Sequence, residues 1–336
     1  MTIKDLAAKT GYAVGTVSRA LNHHPNVSDR ARQAILQAAA ECGFELNVNA
    51  KQLKQAHSNN ILVIVKGTSN ELFGEMLESI QSLVAATRYE LVVDYMDEDL
   101  NEVIRAVQLC REKKPLGLLF LGGNPQNFAE DFDKIDIPSV VVTNDASNLS
   151  FENLSSVSTD DFEAGRCAIH TLANLGHKRI AVIGGHRATS ETSRLRFEGC
   201  KMAFAERDID FDDTRDYQGV RFSAKDGYRA TKALMAAGSQ FTAIFAIADV
   251  MAIGAIRALW EEGLRVPEDV SVMGVDGLPL GEFMVPQLAT IRQNVKSMAL
   301  RSVQLLLDAI EEGKKATHET VIFEVQKRES IREISG

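Results

Sequence analysis

Thr16, Ser18, Arg19 and Asn22 fall on the outer faces of a short helical segment whose inner face carries Val14, Val17 and Leu21. Hydroxyls, an amide and a guanidinium displayed together are suited to a polyanionic partner. The charge distribution points the same way. Residues 1–59 hold seven Lys and Arg against four acids, a balance of +3, which leaves −12 for the rest of a chain whose formal net charge is −9. A basic head on an acidic body means that the head alone approaches nucleic acid. Other chemistries find less support. Cys167 and His170 lie three apart on one helix but have no third ligand at matching spacing, and Cys42, Cys110, Cys167 and Cys200 contain no C-x-x-C pair. There is no G-x-G-x-x-G, no G-x-x-x-x-G-K-[ST] and no G-x-S-x-G, so no cofactor, metal or catalytic residue is expected. Gly122-Gly123 and Gly184-Gly185 follow strand-like runs and read as tight turns.

The elements that position the head residues are three helices. Thr2 and Asp5 can cap the first, Ile3, Leu6 and Ala7 share its inner face, and Gly11 ends it. The second follows a very short turn. After the loop at His23-His24-Pro25-Asn26, Ser28 caps a third, with Asp29 in its first turn. Its stripe is Ala31, Ala34, Ile35, Ala38 and Cys42, and Gly43-Phe44 is the stop. This is a helix-turn-helix pattern, although an ordinary three-helix knob has the same periodicity.

The residues themselves decide between these. Ile3-Lys4-Asp5-Leu6-Ala7, Thr16-Val17-Ser18-Arg19, Leu21-Asn22 and Asn26-Val27-Ser28 closely resemble the opening of the LacI/GalR family of bacterial repressors. The resemblance implies DNA contacts by Thr2, Val14, Gly15, Thr16, Ser18, Arg19, Asn22 and Asn26. It also implies a hinge helix over Asn47–Lys54, where Ala50, Lys51 and Lys54 meet DNA and Leu53 wedges into the minor groove. Eight residues are too few for an independently stable helix, so the hinge would form only against DNA and a second copy. The alternative is a polar linker with one stray leucine. In two respects the chain departs from the family. The usual Ser cap of the recognition helix is Ala13, and one specificity position is Gly15, which has no side chain to read a base. Readout therefore leans on Arg19, whose fork matches O6 and N7 of guanine.

With 336 residues, 45% of them apolar, the chain exceeds one core. Beyond Asn60, strands expected at Ile61–Val65, Leu91–Tyr95, Gly117–Leu121, Ser139–Val142, Arg179–Ile183, Thr242–Ala246 and Val270–Val275 alternate with helical stretches. That alternation means parallel sheets, with a seam near Ser158–Asp161. The resemblance continues through Leu175–Ala181, Gly263–Val272, Gly274-Val275-Asp276 and Ile291-Arg292-Gln293. The expected fold class is α/β: an N-terminal helix-turn-helix head and a two-lobed core like the periplasmic binding proteins, with a ligand in the cleft. The expected divisions are a head over 1–46, a hinge and linker over 47–60 and a core over 61–336. The core's first subdomain is expected at about 61–160 plus 293–322, and its second at about 161–292 plus 323–336.

Matching positions suggest Phe73, Asp160, Arg196, Asp249 and Asp276 as effector contacts. An apolar ring face with Arg and Asp suits a sugar or sugar derivative, unless Arg196 and Asp276 only pair with each other. Ala248 and Gly277 replace polar residues usual in the family, which points to an unusual effector. The expected protein is a ligand-responsive repressor of a carbohydrate or related operon, binding a palindromic operator as a homodimer. Two rivals are a sugar-binding protein with no DNA role, which would not need residues 1–60, and an enzyme on the same fold. No signal peptide or membrane span is evident, and cytoplasmic residence is expected. No leucine heptad follows the core, which favours a dimer.

Overall fold

The computed structural model describes residues 3–21, 27–42, 59–67 and 70–334. Two compact units emerge, Met1–Ser58 and Asn59–Gly336.

In the first unit, α1 (Ile3–Thr10), α2 (Val14–Leu21) and α3 (Asp29–Glu41) enclose a small core of Leu6, Ala7, Val17, Ala20, Leu21, Val27, Ala31, Ile35 and Ala39. Gly11, at φ +72, ends α1 and lets α2 start three residues later. Ser28 caps α3 by accepting from the Ala31 N–H at 3.4 Å. Two expectations need correction. Val14 is exposed rather than on the inner face, because only the Val17–Leu21 side of so short a helix meets α1 and α3. The buried row of α3 is Ala31, Ile35 and Ala39 at i, i+4 spacing. Ala34 is exposed, and Ala38 and Cys42 are half-buried.

The second unit contains two six-stranded sheets. The first is β1 (Asn60–Lys66), β2 (Glu90–Met96), β3 (Gly117–Leu121), β4 (Ser139–Val142), β5 (Leu154–Thr159) and β11 (His318–Val321), ordered β11-β5-β4-β3-β1-β2 and parallel throughout. The second is β6 (Ile180–Gly184), β7 (Tyr217–Gly219), β8 (Ala243–Ala246), β9 (Ser271–Asp276), β10 (Ala289–Arg292) and β12 (Glu324–Gln326). Its order is β12-β10-β9-β8-β6-β7, with only β12 antiparallel. Central strands such as Ile61–Val65 and Ile180–Ile183 are buried along their length, which is why they read as continuous apolar runs. The chain passes between the sheets three times: after β5, after β10 and after β11. No helix among the described residues is long and apolar enough to cross a membrane.

Strand β5 was not foreseen. Leu154-Ser155-Ser156-Val157-Ser158-Thr159 is mostly polar, yet every residue is buried. Its hydroxyls have internal partners: Ser156 Oγ lies 2.8 Å from His318 Nδ1, and Thr159 Oγ1 donates to Gln293 Oε1 at 2.8 Å. Gly122 does occupy a turn at φ +79, but Gly184-Gly185 is a close-approach site instead. A Cβ on Gly184 would stand 2.4 Å from the Tyr217 hydroxyl, and one on Gly185 would stand 2.3 Å from Ser193 Oγ.

Candidate functional site

The second helix of the head has an exposed face. Val14, Gly15 and Arg19 are exposed on α2, and Thr16 and Ser18 are half-buried. The amides of Thr16 and Val17 donate to the Ala13 carbonyl, so Ala13, which has no side chain able to cap, opens the helix. Thr2, Asn22, Asn26 and the hinge residues Ala50, Lys51, Leu53 and Lys54 lie outside the described residues.

In the second unit the carboxyl ends of the two sheets line one cleft, the usual ligand position for open parallel sheets. It encloses about 890 Å³ of empty space, including its open mouth. Lys66 ends β1, Gly122-Gly123 follows β3 and Thr143-Asn144 follows β4. Facing them are Thr192 and Arg196 from α8 (Glu191–Glu206), Phe222 after β7 and Asp276 at the end of β9. Gln293, just after β10, completes the wall. Phe73, on α4 (Glu71–Ala85), is 7% exposed and reaches the cleft with its ring against Gly122.

Arg196 is 3% exposed, and its principal partner was missed. Nε donates to Asp161 Oδ1 at 2.8 Å, Nη1 donates to the Ile247 carbonyl, and Asp276 Oδ1 stands 3.9 Å away. Asp161 opens α7 (Asp161–Asn174), which packs on α8 through glycines. A Cβ on Gly165 would lie 2.0 Å from the Arg196 carbonyl, and one on Gly199 1.9 Å from that of Phe162. These two glycines bring the helix backbones close enough for the ion pair. Burial pushes the Asp161 carboxyl pKa up, opposed by Arg196.

Asp276 has φ +126, an uncommon conformation for a residue with a side chain, at the point where the strand meets the cleft. Gln293 Nε2 donates to its Oδ1 at 2.8 Å, and the Gln293 N–H donates to its carbonyl at 3.0 Å. Since Gln293 also accepts from Thr159, the cleft carboxylate is tied to two of the crossings between sheets. Burial raises the Asp276 pKa to about 6, held back by Arg196 and Gln293.

Two expected contacts lie outside the cleft lining and have internal partners. Asp160 is exposed and caps α7 by accepting from the Glu163 N–H at 2.9 Å; its neighbour Asp161 is the one that meets Arg196. Asp249 is wholly buried away from the cleft lining. Its Oδ2 accepts from the amides of Gly277 and Leu278, each at 2.8 Å, and its Oδ1 from Thr290 Oγ1 at 2.7 Å. Burial and then the neighbouring Asp276 raise its pKa to about 8, against those three donors. Asp249 holds the turn that follows Asp276.

Beside the site, Lys66 pairs with the fully buried Glu102, which also accepts from Asn124 N at 2.6 Å and Asn127 Nδ2 at 2.9 Å. Arg221, before Phe222, reaches across the mouth to Asp97, Glu98 and Asp99 after β2, with Glu98 and Asp99 each at 2.9 Å. Asn144 Nδ2 donates to Thr192 Oγ1 at 3.3 Å, a second bond between the lobes. Of these, Phe222 was concealed in the sequence because the strand before it has only three residues. Asp161 was hidden by sharing a dipeptide with Asp160. As for the considered metal pair, His170 lies 2.6 Å from Glu206 and accepts from Arg207 Nε, while no group of three potential metal ligands occurs among the described residues.

Comparison with known proteins agrees with this fold. Residues 2–47 match the profile described as "Bacterial regulatory proteins, lacI family", and residues 169–331 match "Periplasmic binding protein-like domain". The chain is 33% identical to the HTH-type transcriptional regulator MalR of Clostridium butyricum over 98% of its own length and 99% of the relative's. A lac repressor dimer bound to operator and the anti-inducer ONPF superposes with a TM-score of 0.74 at 26% identity, covering 99% of both chains. A LacI family transcriptional regulator from Enterococcus faecium with bound ribose gives 0.70 at 26% identity, over 82% of this chain and all of that one.

Proposed function

The chain belongs to the LacI family of bacterial regulatory proteins, and from that premise we propose which of its residues read DNA and which hold the effector. The protein is a ligand-responsive, sequence-specific DNA-binding transcriptional regulator that works as a homodimer on operator DNA. Within that role, exposed Arg19 reads a guanine, Val14 offers its methyls to a thymine, and Thr16 and Ser18 contact the backbone. Thr2, Asn22 and Asn26 join them. Over residues 47–60 a hinge carries Ala50, Lys51, Leu53 and Lys54 to the minor groove. One head reads one half-site, so a two-fold protein pairs with a palindrome.

The effector is a sugar or sugar derivative held by Phe73, Phe222, Arg196 and Asp276. The observation that carries this reading is the pair of aromatic rings lining the cleft together with a buried Arg–Asp constellation. Ribose in the Enterococcus faecium regulator supports the same class. The relatives are regulators and not enzymes, which supports a role without catalysis. We place the first lobe at 61–160 plus 293–322 and the second at 161–292 plus 323–336, following the strand order of the two sheets. A ligand bonded to both lobes favours the closed arrangement by its difference in affinity for the two states, and that difference is what reaches the DNA.

The test is selection of operators from randomised duplex DNA by the full-length protein, followed by competition with saccharides. A two-fold symmetric site whose occupancy changes with one saccharide is the expected result. Enrichment of no sequence, or an operator complex indifferent to every saccharide, counts against the proposal.

A further inference from the structure

Every lysine and arginine at the cleft already has a carboxylate. Arg196 is held by Asp161 at 2.8 Å, with Asp276 at 3.9 Å. Lys66 is held by Glu102, which is buried behind it and fixed by two further donors. Arg221 at the mouth is shared among Asp97, Glu98 and Asp99. No other Lys or Arg lines the cleft among the described residues. The other polar groups are the hydroxyls of Thr143, Thr189, Ser190 and Thr192, the amides of Asn70, Asn144 and Gln293, and the imidazole of His186. Phe73 and Phe222 add two apolar faces.

We infer that this cleft selects an uncharged polyhydroxylated ligand and rejects its anionic derivatives, sugar phosphates and uronates. This inference rests on the carbohydrate reading above and narrows it. The physical reason is desolvation. A phosphate or carboxylate entering the cleft gives up its water and must be compensated by a cation. Here the cations are committed, and the surplus carboxylates, Glu98 and Asp99 in the lining and Asp97 beside them, repel it. Recruiting Lys66 would leave the wholly buried Glu102 without its counter-charge. A neutral ligand has no such requirement. Its hydroxyls exchange water for the short hydroxyl and amide side chains, and its carbon faces lie on the phenyl rings.

The experiment is isothermal titration of the full-length protein, at low salt, with glucose, galactose, maltose and cellobiose, and with glucose 6-phosphate, galactose 6-phosphate, glucuronate and galacturonate. The expectation is that at least one neutral saccharide binds, and that its anionic counterpart binds at least about tenfold more weakly. Binding of the neutral saccharide is expected to be lost in Phe222→Ala. In the triple variant Asp97→Asn, Glu98→Gln, Asp99→Asn, Arg221 stands unmatched, so the ratio of anionic to neutral affinity is expected to rise. Using the ratio cancels any change in lobe closure. An anionic member that binds tightest in wild type and is lost in Phe222→Ala overturns the charge inference while the cleft assignment stands. Binding untouched by Phe222→Ala overturns the cleft assignment itself. Failure of all four neutral saccharides, or an unmoved ratio in the triple variant, also counts against the proposal.

Discussion

Replacing Asp249 by alanine separates a structural carboxylate from a ligand contact. In the native structure this side chain accepts from Gly277 N, Leu278 N and Thr290 Oγ1 between 2.7 and 2.8 Å, all inside the second lobe. After truncation Gly277 N keeps the Thr290 hydroxyl, 3.2 Å away, but Leu278 N loses its acceptor and Thr290 its bond to the carboxylate. Each orphaned buried group costs about 1–3 kcal/mol, so with the packing lost the total is about 3–5 kcal/mol. That is a large share of the ~5–15 kcal/mol that holds a typical domain together. Asp249→Asn keeps an oxygen for the Leu278 amide and should cost about half as much. Urea unfolding followed by circular dichroism measures the loss, and titration of the effector measures the second consequence. Because Asp249 supports the turn without touching the cleft, Asp249→Asn should leave effector affinity within about threefold. The reasoning is refuted if Asp249→Ala loses less than about 1 kcal/mol while Asp249→Asn weakens effector binding more than tenfold. Asp249 would then be a ligand contact.

Three further outcomes are expected. Arg19→Ala should relax the preference at one symmetric pair of base positions by about 1–3 kcal/mol, measured on an operator variant panel; an equal loss on every sequence would make Arg19 a phosphate contact. Arg221→Ala removes the three ion pairs across the cleft mouth, each weakened by its exposure to solvent. It should therefore weaken effector binding modestly and flatten its salt dependence in titrations at several ionic strengths, whereas an unchanged salt dependence would show that the contact does not hold the lobes together. Burial holds the His177 imidazole pKa below its usual value; its ring nitrogens lie 2.9 Å from Thr242 Oγ1 and 3.0 Å from Ser271 Oγ. The unfolded chain then takes up the proton first, so the His177 contribution to stability is full above about pH 6.5 and is lost as pH falls through the lowered folded value. His177→Gln should abolish that slope in thermal melts.

Much of this was legible in the chain before the structure. The apolar runs at Ile61–Val65 and Ile180–Ile183 marked buried parallel strands, since both faces of such a strand are covered. Ser28 with Asp29 marked the start of α3, and Gly11 the end of α1, through the local chemistry of caps and left-handed turns. What stayed hidden depends on tertiary contacts. Strand β5 has the composition of a loop, and it is a strand because His318, Gln293 and Ala146 satisfy its hydroxyls. Arg196 was found as a contact, but its partner Asp161 was not, because two glycines 34 residues apart set the helix approach and nothing local encodes it. Asp249 was taken for a contact because it stands at the family's Asn-Asp position after a strand. Only the geometry of Gly277 and Leu278 shows that its oxygens are already engaged.

The most direct test of the central claim is reciprocal titration: the saccharide that binds the cleft into the protein with and without operator, and operator into the protein with and without saturating saccharide. Two sites coupled through one equilibrium must change each other's affinity by the same factor. The account predicts equal factors in wild type, and no measurable saccharide effect on operator affinity in Arg196→Ala, which should still bind operator. A shared factor of one in wild type, meaning no coupling, or a saccharide response that survives in Arg196→Ala, would contradict it.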